Sequence, residues 1–209
     1  MTKIILVRHG QSEANRTSSF SGQNETPLGE MGKIQAQAVA KALENEEIDV
    51  IYSSPLSRAY DTAKPTAKQK NLDIIKIEDF KEVSFGEWEG KDKTYLKENC
   101  PDYLKWREAP AFFVPAVSEG FPKAGVRFYN ALKKLCEENE NKTIAVFCHG
   151  GIMLAFLCKI GYYQSEKATF LDIPLNASLT CLIYDGEFKV DVVGVDEHLQ
   201  GIKTLLTIV

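Results

Sequence analysis

Short apolar runs recur along the chain and predict buried strands. The first three runs are residues 3–7, 49–54 and 143–149. They are rich in β-branched side chains and do not alternate with polar positions, which is typical of strands covered on both faces of a parallel sheet. Residues 72–78 predict a further strand, and residues 178–195 predict a hairpin that turns at an Asp-Gly pair.

The segments that follow the first two runs carry helical periodicity. One helix is predicted after Thr26-Pro27, which resembles a cap with proline in the first turn. The apolar positions of this helix are Ala36, Val39, Ala40 and Leu43. Residues 55–70 predict a second helix, which Pro65 should kink or interrupt because proline removes a backbone donor.

Two more helices are predicted on either side of the third run. Residues 150–163 are apolar nearly all round, which indicates a buried helix. Residues 124–140 carry apolar side chains on one face, namely Val126, Tyr129, Leu132 and Cys136. Alternating strands and helices followed by a hairpin predict an α/β fold: a three-layer α/β/α sandwich with a mostly parallel sheet and antiparallel strands at an edge.

The length of the chain suits a single domain that spans residues 1–209. Residues 91–122 are the least regular part and combine prolines with several aromatic side chains. We interpret them as an insertion that covers the active site. An apolar cover of this kind favours a substrate whose alcohol portion is small or weakly charged.

Charge and cysteine content limit the partners and the compartment. The 25 basic and 29 acidic residues give a net charge of −4 without a basic run, so no nucleic-acid partner is expected. No stretch reaches the ~20 apolar residues of a membrane span, and the N-terminal apolar run is shorter than the roughly 7–15 residues of a signal-peptide core. Five irregularly spaced cysteines are expected to be free thiols. We therefore expect a cytoplasmic protein without a membrane partner, and the oligomeric state stays open.

Charged side chains follow the predicted strands directly. Arg8 and His9 end the first run, Arg58 lies one turn into the helix after the second, and His149 ends the third. Because ligands bind beyond the carboxyl ends of the strands in an open α/β sheet, these side chains are expected at one rim. Glu82 follows the next predicted strand and is within reach of the same rim.

These residue types suit phosphoryl transfer. Arginine forks match phosphoryl oxygens, Asn15 adds a neutral donor, and the helix start at Gly150-Gly151 adds backbone N–H donors. A neutral imidazole is a competent nucleophile toward phosphorus when its other nitrogen donates a proton to a fixed acceptor. The leaving alkoxide then needs a proton, for which Glu82 is a candidate among several nearby glutamates. No metal-ligand spacing is present in the sequence, so no metal ion is expected.

Four segments together resemble a known family. LVRHGQSEAN, SSPLSRAYDTA, FKEVSFGEWEG and VFCHGGIM are similar to the hallmark motifs of the histidine phosphatase superfamily, also called the phosphoglycerate-mutase-like family. The resemblance runs from about residue 3 to about residue 160 in the family's order. It implies that His9 becomes a phosphohistidine, that Glu82 is the proton donor, and that Asn15 contributes to the site. It assigns the paired arginines and the second histidine to Arg8, Arg58 and His149.

Departures from the motifs favour the phosphatases of this family over its mutases. The mutases carry a tyrosine at Phe85, an asparagine at Gly151, and an arginine pair in the covering segment, where this chain has Arg107 followed by Glu108. Other residues do resemble mutase substrate contacts, namely Ser21, Gly22 and Lys93. We therefore expect a metal-independent hydrolase, without a cofactor, that acts on a small phosphorylated metabolite. A cofactor-dependent phosphoglycerate mutase is the alternative, and a phosphate-binding module without chemistry is a third hypothesis.

Overall fold

A computed structural model describes residues 1–17 and 19–204. Helices and strands alternate along most of this part of the chain. The strands are β1 (Thr2–Arg8), β2 (Val50–Ser53), β3 (Ile74–Lys76), β4 (Thr143–Cys148), β5 (Leu179–Tyr184) and β6 (Phe188–Val195). The helices are α1 (Glu13–Arg16), α2 (Glu30–Ala42), α3 (Ser57–Lys70), α4 (Lys93–Asn99), α5 (Pro101–Glu108), α6 (Gly120–Glu138) and α7 (Gly150–Lys159).

The strands form one six-stranded sheet in the order β3-β2-β4-β1-β5-β6. The first four strands of the chain are parallel, whereas β5 and β6 form an antiparallel edge beside β1. The predicted α/β fold with a mostly parallel sheet and antiparallel edge strands is confirmed. The register pairs Arg8 with Cys148 and Ser53 with Phe147. The residues that follow β1, β2 and β4 therefore meet at one edge of the sheet.

Side chains of β1 alternate between two cores on opposite faces of the sheet. Ile4 and Leu6 belong to the core that includes α6 and α7, whereas Ile5 and Val7 belong to the core that includes α2 and α3. Successive side chains of a strand point to opposite faces, so both cores need apolar residues from the same strand. This requirement explains the continuous apolar run at residues 4–7. Among the described residues, no helix is long and apolar enough to cross a membrane.

Two predictions about helix boundaries are wrong. α3 continues through Pro65 without interruption. Burial of one face of α3 against the sheet stabilises the helix by more than the roughly 3 kcal/mol that an internal proline costs. α2 begins at Glu30, with Gly29 as its N-cap, so Thr26 and Pro27 lie in the preceding loop. That loop is held by tertiary contacts instead, since the Thr26 hydroxyl accepts a hydrogen bond of 3.3 Å from Arg58.

The predicted face of α6 is only partly correct. The helix begins at Gly120, earlier than the predicted start at 124, and Val126 is 42% exposed. Its buried residues follow a different stripe and include Phe121, Ala124, Phe128 and Leu132. Residues 91–122 contain α4 and α5, and their aromatic side chains Tyr103 and Trp106 join the core that includes α6 and α7.

Candidate active site

The loops that follow β1, β2 and β4 border a cavity of about 190 Å³ at the carboxyl edge of the sheet. Its lining includes most of the predicted site residues: Arg8, His9, Asn15, Ser21, Gly22, Arg58 and Glu82. His149 and Gly150 are buried beside these residues and are not part of the cavity lining. The His149 and His9 rings have centroids 5.1 Å apart. A Cβ at Gly150 would lie 2.9 Å from Nε of Arg8.

His9 is the first residue after β1 and is only 4% exposed. Its Nδ1 lies 2.7 Å from the carbonyl oxygen of Gly10, so Nδ1 carries the hydrogen and Nε2 carries the lone pair. Burial, followed by the charges of Arg58 and Arg8, holds the pKa of His9 well below its ordinary value of 6.5. The ring is therefore neutral at neutral pH, as a nucleophile must be.

A second neutral imidazole lies next to the first. His149 is fully buried, and its Nε2 is 2.8 Å from the hydroxyl of Ser54, the residue that follows β2. Burial and then the charge of Arg58 hold the pKa of His149 well below its ordinary value. The remaining histidine, His198, contacts the Ala177 carbonyl at 2.9 Å and does not line the cavity.

Two arginines are buried beside the imidazoles. Nη1 of Arg8 donates to the Pro174 carbonyl at 2.6 Å, and Nη2 of Arg58 donates to the Gly22 carbonyl at 2.7 Å. Within the described part of the chain, the buried Nε atoms of both arginines lack a hydrogen-bond partner. Burial lowers the pKa of Arg8 to about 10, against the opposing charge of Glu82, so the guanidinium stays charged at neutral pH. The pair suits an anion that carries several oxygens.

The Glu82 carboxylate lies at the N-terminus of α7. Oε2 accepts from the Gly151 N–H at 3.0 Å, and Oε1 accepts from the Ile152 and Val83 N–H groups at 2.7 and 2.9 Å. A Cβ at Gly151 would lie 2.7 Å from Oε1, so the missing side chain gives the carboxylate room. The Gly151 N–H, expected as a ligand donor, therefore binds Glu82, because the positive end of a helix attracts the nearest carboxylate.

Three other predicted residues complete the rim of the cavity. Asn15 lines the cavity, and its Oδ1 accepts from the N–H and the hydroxyl of Ser12 at 3.1 Å each. Gly22 has a φ of 48°, which favours glycine, and its carbonyl binds Arg58. Ser21 lines the cavity next to it. Gly22 thus contributes through its backbone.

A polar network from the C-terminal part reaches the site and is not predicted by the sequence. Asn176 donates to the His9 carbonyl at 3.0 Å, and the Thr204 hydroxyl donates to the Asn176 side-chain oxygen at 3.3 Å. Fully buried Gln35 of α2 donates to the Ile202 carbonyl at 2.8 Å and so fastens the same segment. A glutamine on the apolar face of a predicted helix is the one signal that the sequence offers for this network.

The segment 91–122 supplies part of the cavity wall. Its half-buried cations Lys93 and Arg107 both line the cavity, together with the aromatic rings of Tyr103 and Trp106. Burial, and then the nearby arginine charges, lower the pKa of Lys93. Among the described lining residues, four side chains are cationic and one is acidic. This balance contradicts the expectation of a weakly charged substrate, which rested on aromatic content.

Comparisons with known proteins identify the family of this chain. A family model described as histidine phosphatase superfamily (branch 1) matches residues 4–195. Phosphoserine phosphatase 1 of Hydrogenobacter thermophilus is 36% identical over 208 residues, which cover 91% of this chain and 98% of that protein. The Metal-independent phosphoserine phosphatase of Arabidopsis thaliana is 33% identical over 216 residues, which cover 98% of this chain and 86% of that protein.

Solved structures share the fold over nearly the whole chain. Phosphoserine phosphatase from Entamoeba histolytica in complex with 3-phosphoglyceric acid has a TM-score of 0.82 at 29% identity and covers 95% of this chain and 100% of that one. A mutant of the same enzyme in complex with phosphoserine has a TM-score of 0.79 at 30% identity. The family match includes the four motif segments and the strands that carry them. The chain therefore belongs to the histidine phosphatase superfamily.

Proposed function

We propose that this protein hydrolyses a small phosphomonoester through a phosphohistidine on His9, with Glu82 as general acid and base. One observation carries the proposal: the 2.7 Å hydrogen bond from Nδ1 of His9 to the Gly10 carbonyl. That bond makes Nε2 the lone-pair atom of a neutral ring beside Arg8 and Arg58. The phosphatase names of the relatives support the same reaction class.

In the first step, Nε2 of His9 attacks phosphorus and forms a P–N bond while the ester P–O bond breaks. The electron pair of the broken bond goes to the alkoxide oxygen, which takes a proton from the protonated Glu82 carboxyl. Arg8 and Arg58 bind the oxygens of the transferring group and stabilise their charge. Asn15 and His149 add neutral hydrogen bonds to the same group.

In the second step, a water molecule attacks the phosphorus of the phosphohistidine. The P–N bond breaks, its electron pair returns to Nε2, and the Glu82 carboxylate takes the proton of the water. Inorganic phosphate is released, His9 is again neutral, and Glu82 is again protonated. The steps need no metal ion and no cofactor, because the guanidinium groups supply the positive charge.

We infer that the alcohol portion of the substrate carries a carboxylate. Lys93 and Arg107 lie on the covering segment, whereas β1 and α3 carry Arg8 and Arg58, and all four cations line one cavity. Four cations suit a ligand with a phosphate and a second acidic group. The solved relative binds phosphoserine and 3-phosphoglyceric acid, which are of this class. Residues 1–209 then act as one catalytic domain, with residues 91–122 covering the site.

A screen of phosphomonoesters ranked by kcat/KM tests the proposal. It compares phosphoserine and 3-phosphoglycerate with an alkyl phosphate that lacks a carboxylate, and a mutase assay primed by a bisphosphoglycerate runs beside it. We expect the carboxylate-bearing esters to rank highest, and we expect His9→Ala to abolish both turnover and acid-labile phosphate on the protein. A mutase rate above every hydrolysis rate would favour the mutase alternative. Binding of phosphate without a phosphoenzyme would favour a binding module.

A further inference from the structure

The loop that carries Glu82 is held by a half-buried ion pair at the N-terminal part of α6. We propose that Arg127 and Glu119 are positioning residues for the Glu82 carboxyl group, and this inference rests on the acid-base role proposed for Glu82. Arg127 belongs to α6, and Glu119 immediately precedes that helix. Neither residue lines the cavity, and their charged groups bind the loop and each other.

The guanidinium of Arg127 donates to three backbone carbonyls of the loop. Nη1 donates to the Asp79 carbonyl at 2.6 Å and to the Lys81 carbonyl at 3.1 Å, and Nη2 donates to the Glu82 carbonyl at 3.3 Å. Because the guanidinium is planar, its three hydrogen bonds together fix the backbone conformation of the segment that leads to Glu82. Lysine, with one ammonium group, cannot reproduce this geometry.

Glu119 binds both the Arg127 guanidinium and the backbone of Ser84, two residues after Glu82. Its Oε1 accepts from Nη2 of Arg127 at 2.6 Å and from the Ser84 N–H at 2.9 Å. The Glu119 N–H in turn donates to the Ser84 carbonyl at 3.1 Å. The side chains of Arg127 and Glu119 are 20% and 14% exposed, so water screens this pair less than the exposed pairs on the surface.

Glu82 is therefore held at its side chain and at its backbone. α7 binds the carboxylate through the Gly151 and Ile152 N–H groups. The Glu82 carbonyl accepts from Arg127 of α6 at 3.3 Å and from the Gln23 side chain at 2.9 Å, and Arg127 also binds two carbonyls that precede Glu82 on the loop. A general acid must lie within hydrogen-bond distance of the leaving oxygen, so a small shift of this loop lowers proton transfer more than phosphate binding. Release of the backbone contacts is thus expected to weaken the acid step selectively.

The dependence of kcat/KM on the leaving group distinguishes a positioning role for Arg127 and Glu119 from a purely structural one. An aryl phosphate with an acidic phenol leaves without protonation, whereas an alkyl phosphate needs the acid. The values of kcat/KM, which report the phosphoryl-transfer step to His9, are measured for both esters in the wild-type protein, Glu82→Gln, Arg127→Met, Arg127→Lys and Glu119→Gln. Lys134→Met, on the exposed side of α6, is the matched control.

For Glu82→Gln we expect kcat/KM to fall about 100-fold or more with the alkyl ester and only a few-fold with the aryl ester. Arg127→Met should show the same selectivity with about a tenfold loss for the alkyl ester. For Arg127→Lys and Glu119→Gln, the loss of kcat/KM with the alkyl ester should be smaller than for Arg127→Met but measurable. Lys134→Met should have the kcat/KM of the wild type with both esters. Thermal unfolding shows which variants remain folded at the assay temperature.

Equal losses for both esters in the folded Arg127 and Glu119 variants would overturn the inference while leaving the role of Glu82 intact. If Arg127→Met does not fold, Arg127→Lys and Glu119→Gln decide by the same criterion. Equal losses in Glu82→Gln itself would instead refute the acid role in the proposed function, and the inference would fail with it.

Discussion

The role that we propose for His9 depends on one neighbouring carbonyl and on the burial of its ring. The Gly10 carbonyl accepts from Nδ1, and the charges of the two arginines disfavour a positive charge on the ring. A histidine in water is partly protonated near pH 6.5, which removes the lone pair that attacks phosphorus. The site therefore keeps the His9 ring neutral over a wider range of pH than an exposed histidine would be, which suits the proposed attack on phosphorus.

We predict that His9 of the ligand-free protein stays neutral, with its hydrogen on Nδ1, as the pH falls through 6.5. Burial and the charges of Arg58 and Arg8 hold its pKa well below that value. The ¹⁵N chemical shifts of the imidazole nitrogens, assigned with a His149→Asn variant, measure both the charge and the tautomer. Titration of His9 near pH 6.5, or a hydrogen on Nε2, would contradict the prediction.

A second prediction at the residue scale concerns the cations of the covering segment. Lys93→Met and Arg107→Met should each raise KM about tenfold for a carboxylate-bearing phosphomonoester, because each removes a charged hydrogen-bond partner. Neither should change KM by more than about twofold for an alkyl phosphate without a carboxylate. Steady-state kinetics with the two esters measure the difference. Similar increases for both esters would show that these cations bind the phosphate instead.

At the scale of elements, the site depends on how closely α2 approaches the loop after β1. The N–H of Gln11 donates to the side-chain oxygen of Gln35 at 2.8 Å, and the Gln11 carbonyl accepts from the Gly29 N–H at 2.9 Å. A Cβ on Gly32 would lie only 2.1 Å from the Gln11 carbonyl oxygen. α2 thus supports the loop that carries His9, and this contact tolerates no side chain at position 32.

We predict that Gly32→Ala lowers the free energy of unfolding by about 1–3 kcal/mol, because the clash is with backbone and cannot be relieved by a rotamer change. Alanine has the higher helix propensity, so an isolated helix would change in the opposite direction. Chemical denaturation measures the loss, and Gln37→Ala on the exposed side of α2 is the control. A stability equal to that of the wild type would show that α2 moves away from the loop without cost.

At the scale of the whole molecule, folding removes two imidazoles from water and keeps them neutral. The pKa values of His9 and His149 both lie well below their ordinary value of 6.5 in the folded protein. In the unfolded chain the same groups bind protons as the pH falls below that value. The unfolded state then binds more protons than the folded state, so stability is lost toward acid.

We therefore predict that the free energy of unfolding falls between about pH 6.5 and 5.5 with a slope of up to about 1.4 kcal/mol per pH unit for each of the two histidines. Urea denaturation at several pH values measures this slope. A His149→Asn variant, which lacks one of the two imidazoles, should show a slope that is smaller by up to about 1.4 kcal/mol per pH unit. An unchanged slope in that variant would mean that His149 is protonated in the folded protein.

The sequence predicted those features that follow a regular pattern of apolar residues or that lie directly at the end of a strand. Apolar runs set the strands, and their position placed Arg8, His9 and His149 at one rim, since parallel strands share their carboxyl edge. Helix ends were less predictable. Pro65 lies inside α3, and Thr26 lies outside α2, because packing and side-chain contacts between distant segments decided both positions.

The strands and the helices α2, α3, α6 and α7, the fold class and the family were thus predicted from the sequence alone, whereas the helices α4 and α5 within residues 91–122 were not. Only the tertiary structure decided which contacts hold each group at the site. Asn176 donates to the His9 carbonyl, the N-terminus of α7 binds the Glu82 carboxylate, and Arg127 binds the backbone of the loop that carries Glu82. The tertiary structure also brought Lys93 and Arg107 to the cavity. The physical reason is that hydrogen bonds between residues far apart in the chain leave no periodic pattern, whereas burial of a strand or a helix face does.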